Sequence, residues 1–161
     1  HIVKRGNSFL GIAAEYGTSL DSIMHLNGMM ELKNIQPGEE LIVMPLNFRL
    51  LIEPQRKALS VWDGARFIRE YPVIHLDVPG KLAPGKTTIS SKLAELGGHP
   101  VAPQSKDYRA ADKVIQIAKP SLQIRGATEA SDALPHGVIL HAHDMEEVSL
   151  LTRVGNEVEI R

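Results

Sequence analysis

The spacing of apolar residues changes once along this chain, at Pro45, and that change restricts the folds open to it. Before Pro45, Phe9, Ile12, Ala13 and Tyr16 recur at helical spacing, and Leu20, Ile23, Met24 and Asn27 repeat the period. After Pro45 the apolar residues fall into short runs divided by turn residues, which is the pattern of short strands. The period therefore predicts an α+β protein: a small helical unit, then a mainly β domain.

The first unit has clear punctuation. Gly6-Asn7-Ser8 is a turn and helix start, with Asn7 or Ser8 able to accept from free amide groups, and Gly17 is a helix stop. Thr18-Ser19, followed by Asp21 and Ser22, announces a second helix that Gly28 ends. Residues 1–4 and 41–44 read as flanking strands, with turn chemistry at Ile35-Gln36-Pro37-Gly38, so the expected order is βααβ.

Beyond Pro45, residues 48–52 and 58–62 are strand-like around a turn at Glu53-Pro54-Gln55, and Asp63-Gly64 is a hairpin turn before Phe67-Ile68 and residues 71–74. Turns at Pro79-Gly80, Pro84-Gly85 and Gly97-Gly98 separate further strands at 87–90, 113–117, 122–124 and 138–140. Asp144 with Glu147 reads as a capping box opening one short C-terminal helix with Met145, Val148, Leu150 and Leu151 as apolar positions, and residues 156–160 close the chain as a strand. The expected architecture of this part is a sandwich or barrel-like domain. A Pro-rich loop around Pro100 and Pro103 is a candidate surface loop.

Composition excludes several functions. The 161 residues carry a net charge of -1, with no basic or acidic excess to draw nucleic acid or an anionic membrane. There is no cysteine, so disulfides, cysteine-bound zinc, iron–sulfur clusters and thiol nucleophiles are all excluded. No apolar run reaches bilayer-spanning length. His1 to Gly6 reads as a strand entering a turn rather than as a signal peptide, so any export segment is not visible. His136, His141, His143 and Asp144 include metal-competent donors, and His141 and His143 would share one face of a strand. Asp144 is already accounted for as a helix cap, so neither a metal nor a cofactor is expected.

Residues 3–8, Ile12-Ala13, Tyr16-Gly17, Leu26-Asn27, residues 35–38, Leu41 and Pro45 together resemble the LysM module, with Asn7 where that family usually has aspartate. The resemblance implies a shallow groove for N-acetylglucosamine units on two turns, at Gly6, Asn7, Ser8, Phe9, Asn27, Gly28, Met29, Ile35 and Pro37, and a peptidoglycan or chitin-like glycan as partner. Taken as side chains alone, Phe9 and Ile35 are core residues.

The rest of the chain is similar to the L,D-transpeptidase catalytic domain. The similarity is carried by residues 58–64 with 70–73, by Ala83 to Thr87 loosely, and by His136-Gly137-Val138-Ile139, residues 144–148 and 154–160. That family transfers acyl groups between peptidoglycan stem peptides through a cysteine thiolate, a histidine base and oxyanion donors. Its motif is Ser-His-Gly-Cys-x-Arg, after a strand ending Ile-His-Gly. Here Val138 stands at the nucleophile's place, Leu140 at the arginine's and Pro135 at the serine's, while His136 and Gly137 are kept and the loop from Gly126 to Pro135 is short. Arg125 takes the base position, and a guanidinium that stays protonated cannot act as a base. It could instead pair with a carboxylate, from the protein or from a ligand.

Together the resemblances imply a glycan-binding unit over residues 1–46 and an inactive transpeptidase-like domain over 47–161. They also imply an extracytoplasmic place in the bacterial envelope or periplasm, with stem peptides or another envelope protein as further partners. The competing enzyme readings are an L,D-transpeptidase or carboxypeptidase with an unrecognised nucleophile, or a hydrolase using Ser90, Ser91 or Ser121, none of which sits in a nucleophile-elbow pattern.

Overall fold

The computed structural model describes residues 1–128 and 136–161. Helix α1 (Phe9–Tyr16) starts where expected. Ser8 rather than Asn7 is its cap, accepting from Gly11 N at 3.1 Å, and Gly17 ends it at φ 60°. Helix α2 (Leu20–Leu26) is capped by Ser19, which accepts from Ser22 N. The two flanking strands shrink to one antiparallel bridge, Ile2 with Glu40. Hydrogen bonds His1 N to Leu41 O, Leu41 N to His1 O, Val3 N to Glu39 O and Gly38 N to Val3 O hold the segments together. Val3, Phe9, Ile12, Leu20, Ile23, Met24 and Leu41 form one small core. Each such side chain contributes roughly 1.5–3 kcal/mol when fully buried.

The larger part is built from β1 (Arg49–Glu53), β2 (Ala58–Asp63), β3 (Arg66–Pro72), β4 (His75–Asp77), β5 (Gly85–Leu96), β6 (His99–Pro100), β7 (Asp112–Ile117), β8 (Leu122–Gly126), β9 (Gly137–Leu140), α3 (Ala142–Leu150) and β10 (Glu157–Ile160). The hydrogen-bonded order is β3-β2-β1-β10-β5-β7-β8-β9-β4, with β6 off β5. The long β5 belongs to two half-sheets. Its first residues pair with β10; from Ile89 onward it pairs with β7, with an irregularity between Ile89 and Ser91. At the far side, Val73 N donates to Lys57 O and Ile74 N to Ile139 O, so the step from β3 to β4 links the two outer edges. The sandwich core lies between the halves: Leu50, Ile52, Leu59, Val61 and Val158 face Ile115, Ile117, Ile124, Val138 and Leu140, with Met145 and Val148 of α3 joining them.

Two expectations about this part are corrected. Asp144 is not a helix cap: α3 starts three residues earlier, behind His141, which makes no side-chain capping bond. Glu147, the other half of the expected box, reaches across to Arg69 on β3. His141 and His143 therefore flank a helix start and share no strand face.

The two parts meet through buried polar groups. Lys92 on β5 pairs with Asp21 on α2 at 3.2 Å and donates to the carbonyls of Ser149 (2.6 Å) and Thr152 (2.7 Å). Ser149 Oγ donates to the same carboxylate. Burial pushes the Asp21 carboxyl up, but Lys92 and the hydroxyls of Ser19 and Ser149 outweigh it and hold its pKa below the usual value. Arg109 spans the joint from His25 to Glu146, and Tyr108 packs on the small core, so the Pro-rich loop runs toward the N-terminal unit.

Candidate functional site

The candidate glycan groove is built on the turns before α1 and after α2. Asn7 Oδ1 accepts from Lys4 N at 2.7 Å and lies 3.0 Å from His1 Nε2, which fixes the first turn. Asn27 fixes the second: its amide donates to Ile23 O and Ile42 O and its oxygen accepts from Ile42 N, each at 2.8 Å. Phe9, Met29 and Ile35 all pack on the same small core, Phe9 buried and the other two partly exposed, so both turns rest on one base. Gly6, Ser8, Gly28 and Pro37 are exposed, and a Cβ on Gly6 or Gly28 would meet nothing within 4 Å. What the two turns offer outward is open backbone and the edges of apolar side chains, a surface suited to acetamide groups and sugar faces.

The residues expected at the transpeptidase motif lie on β8 and β9. Val138 is fully buried in the sandwich core, its Cα paired with Ile124 on β8 and Leu76 on β4. Arg125 pairs with Ile139, one step along. Neighbours in a strand point to opposite faces, so Val138 and Arg125 stand on opposite sides of the sheet. The structure does not bring them together. Arg125 instead grips Glu95 with both terminal guanidinium nitrogens (2.9 and 3.3 Å) and donates from Nε to Gln123 at 2.7 Å. Leu140 is core.

The motif's glycines have backbone reasons. At Gly137 φ is +112°, and a Cβ would lie 2.3 Å from the Gln123 carbonyl oxygen. At Gly126 a Cβ would press on Ala142 and Met145 of α3, both at 3.2 Å.

His136 is exposed and bonded through Nδ1 to Asp77. Both line a groove of about 430 Å³ with Ser121, Gln116, Gln123 and Gly137. The Ser121 hydroxyl accepts from Gln116 Nε2, and no hydrogen bond joins it to His136 among the described residues. Ser90 donates to Gln116 O. Pro135 and the loop following Gly126 bear on the shortened-loop expectation but fall partly outside the described residues, Pro135 entirely so. Among the described residues no cluster of three or more His, Asp or Glu could hold a metal ion, and no helix is long and apolar enough to cross a membrane.

The sequence missed the joint between the parts. Lys92 and Asp21 are 71 positions apart, and only the apolar company of Asp21 on α2 hinted at a buried partner.

Comparison with known proteins agrees with this architecture. Residues 1–43 match the LysM domain. The fold is similar to that of an L,D-transpeptidase from Mycobacterium smegmatis, at 10% identity and a TM-score of 0.52, covering 73% of this chain and 59% of that one. It is also similar to an L,D-transpeptidase in complex with imipenem, at 12% identity and a TM-score of 0.50, covering 71% and 59%. The chain thus spans about six tenths of the length of these solved structures. No curated protein sequence matches it. The chain carries a LysM domain and a fold of L,D-transpeptidase type, and it contains no cysteine.

Proposed function

We propose that this protein binds peptidoglycan, or a related N-acetylglucosamine polymer, through the LysM domain, and that its transpeptidase-like part is not catalytic. The division falls near residue 46, and the site of action is the bacterial envelope outside the cytoplasm. The match of residues 1–43 to the LysM domain carries the reading. The glycan lies across Gly6, Asn7, Ser8, Phe9, Asn27, Gly28, Met29, Ile35 and Pro37. Loss of catalysis rests on chemistry: an isopropyl group at Val138 forms no thioester, and Arg125 is already paired with Glu95. The second part serves as a partner surface, for stem peptides or another envelope protein.

Two measurements test this. The full chain should be retained on purified sacculi, and Met29→Asp should reduce retention at least tenfold. Incubation with a carbapenem and muropeptides should leave the intact mass unchanged. Equal retention of the variant would end the groove assignment. A covalent adduct, or turnover, would instead establish an enzyme with another nucleophile.

A further inference from the structure

A cleft of about 360 Å³ opens where α2 of the small unit meets β3 and α3 of the larger part. Leu26, Met44, Ile68, Leu150 and Leu151 make its lining mainly apolar. Met44 and Ile68 each leave more than a third of their surface in solvent, at 36% and 37%. The cleft shares no residue with the candidate glycan turns or with the groove beside His136. Its polar groups come from Tyr71 and Glu147, which both line it. Tyr71 is 1% exposed, and its buried hydroxyl has no hydrogen-bond partner among the described residues. Glu147 Oε2 is buried and equally unbonded. The hydrogen bond from Arg69 goes to Oε1 at 3.2 Å, while Oε2, 3.1 Å from the same nitrogen, is out of line for one. Burial, and after it the nearby Glu147 carboxylate, push the Tyr71 phenol above its ordinary value, so the hydroxyl keeps its proton. The two groups are thus close, but not aligned for a bond to each other. Buried polar atoms are nearly always bonded, and a concave apolar lining with a few converging polar atoms is the usual form of a small-molecule site.

We propose that this cleft binds a small uncharged molecule with one hydroxyl group on an apolar body. Tyr71 has a proton to give, and Glu147 Oε2 has only lone pairs to offer. A ligand hydroxyl accepts from the first and donates to the second, so one group completes both. The charge of Glu147 is already balanced by Arg69, so the site selects for neither a cation nor an anion. The apolar side chains cover the body of the ligand, and they come from both parts of the chain.

The test is an NMR titration of the full chain with p-cresol. Saturable shifts should centre on Leu26, Met44 and Leu151. The methyl ether of p-cresol accepts a hydrogen bond but cannot donate, and toluene does neither; each should bind at least tenfold more weakly. Tyr71→Phe should abolish the advantage of p-cresol over toluene without lowering the melting temperature, since the hydroxyl bonds nothing in the free protein. Met44→Asp, at an exposed position, should weaken p-cresol and toluene alike. Absence of saturation, equal binding of p-cresol and either control, or indifference to Tyr71→Phe would each overturn the proposal. So would a fall in melting temperature in Tyr71→Phe, which would show that the hydroxyl already has a partner.

Discussion

Replacing Lys92 with methionine removes an ammonium that four oxygens surround: both carboxylate oxygens of Asp21 and the carbonyls of Ser149 and Thr152. The volume is nearly kept, so the loss is electrostatic. Asp21 is 3% exposed and would be left as a buried charge without a counterion. Removing one partner of such a pair costs about 3–5 kcal/mol. For a chain of this length, each kcal/mol lowers the melting temperature by roughly 2–4 °C, so a fall on the order of 10 °C is expected. The pH dependence carries a signature. In the native protein the Asp21 pKa is depressed, so its contribution is fully present above the unfolded value of about 3.9 and is lost as pH falls through the lower folded value. In Lys92→Met the folded pKa rises above the unfolded one, so the variant loses stability as pH rises from about 4. The two stability curves should therefore converge in acid. Asp21→Asn in the Lys92→Met background should restore much of the loss, with a coupling of about 1–3 kcal/mol. Urea denaturation followed by circular dichroism at pH 4 and pH 7 measures all of this. A loss under about 1 kcal/mol at pH 7, or a double variant no better than Lys92→Met alone, would refute the assignment of this pair as the joint's electrostatic centre.

Other outcomes follow from single contacts. Gly137→Ala must place a methyl on the Gln123 carbonyl at a positive φ, so it should cost about 3 kcal/mol or more, seen as reduced soluble yield and an earlier thermal transition. Ser8→Ala removes the α1 cap and should cost about 1 kcal/mol, read as a shift of roughly 2–4 °C in melting temperature. A null effect at Ser8 would mean water takes over the Gly11 amide.

Much of the fold can be read along the chain because its signals are local. Ser8, Gly17 and Ser19 punctuate the helices by hydrogen bonds spanning a few residues, and Asp63-Gly64 and Gly97-Gly98 turn hairpins by themselves. The reading fails where a distant partner decides. Asp144 and Glu147 have capping-box spacing, but the chain becomes helical three residues earlier as β9 hands directly into α3, and Arg69 claims Glu147. The strands flanking α1 and α2 have strand-like composition, yet only a single bridge forms between them. The absence of any cysteine is plain along the chain, whereas the placement of Val138 and Arg125 on opposite faces needs the parallel β8–β9 register. Arg153 gave no signal at all, because the Leu46 and Asn47 oxygens that it reaches lie 107 and 106 positions away along the chain.

The position of β10 sets a timetable for assembly. Residues 157–160, the last strand in chain order, lie between β1 and β5 and hydrogen-bond the half-sheet β3-β2-β1 to the half-sheet that begins with β5. A nascent chain that has emerged only as far as α3 owns two ribbons with raw edges at Leu50 and Lys86 and no seam between them. Closure waits for Val158 and Ile160 to slide into the gap, and until they emerge both edges stand open to whatever strand or chaperone is nearby.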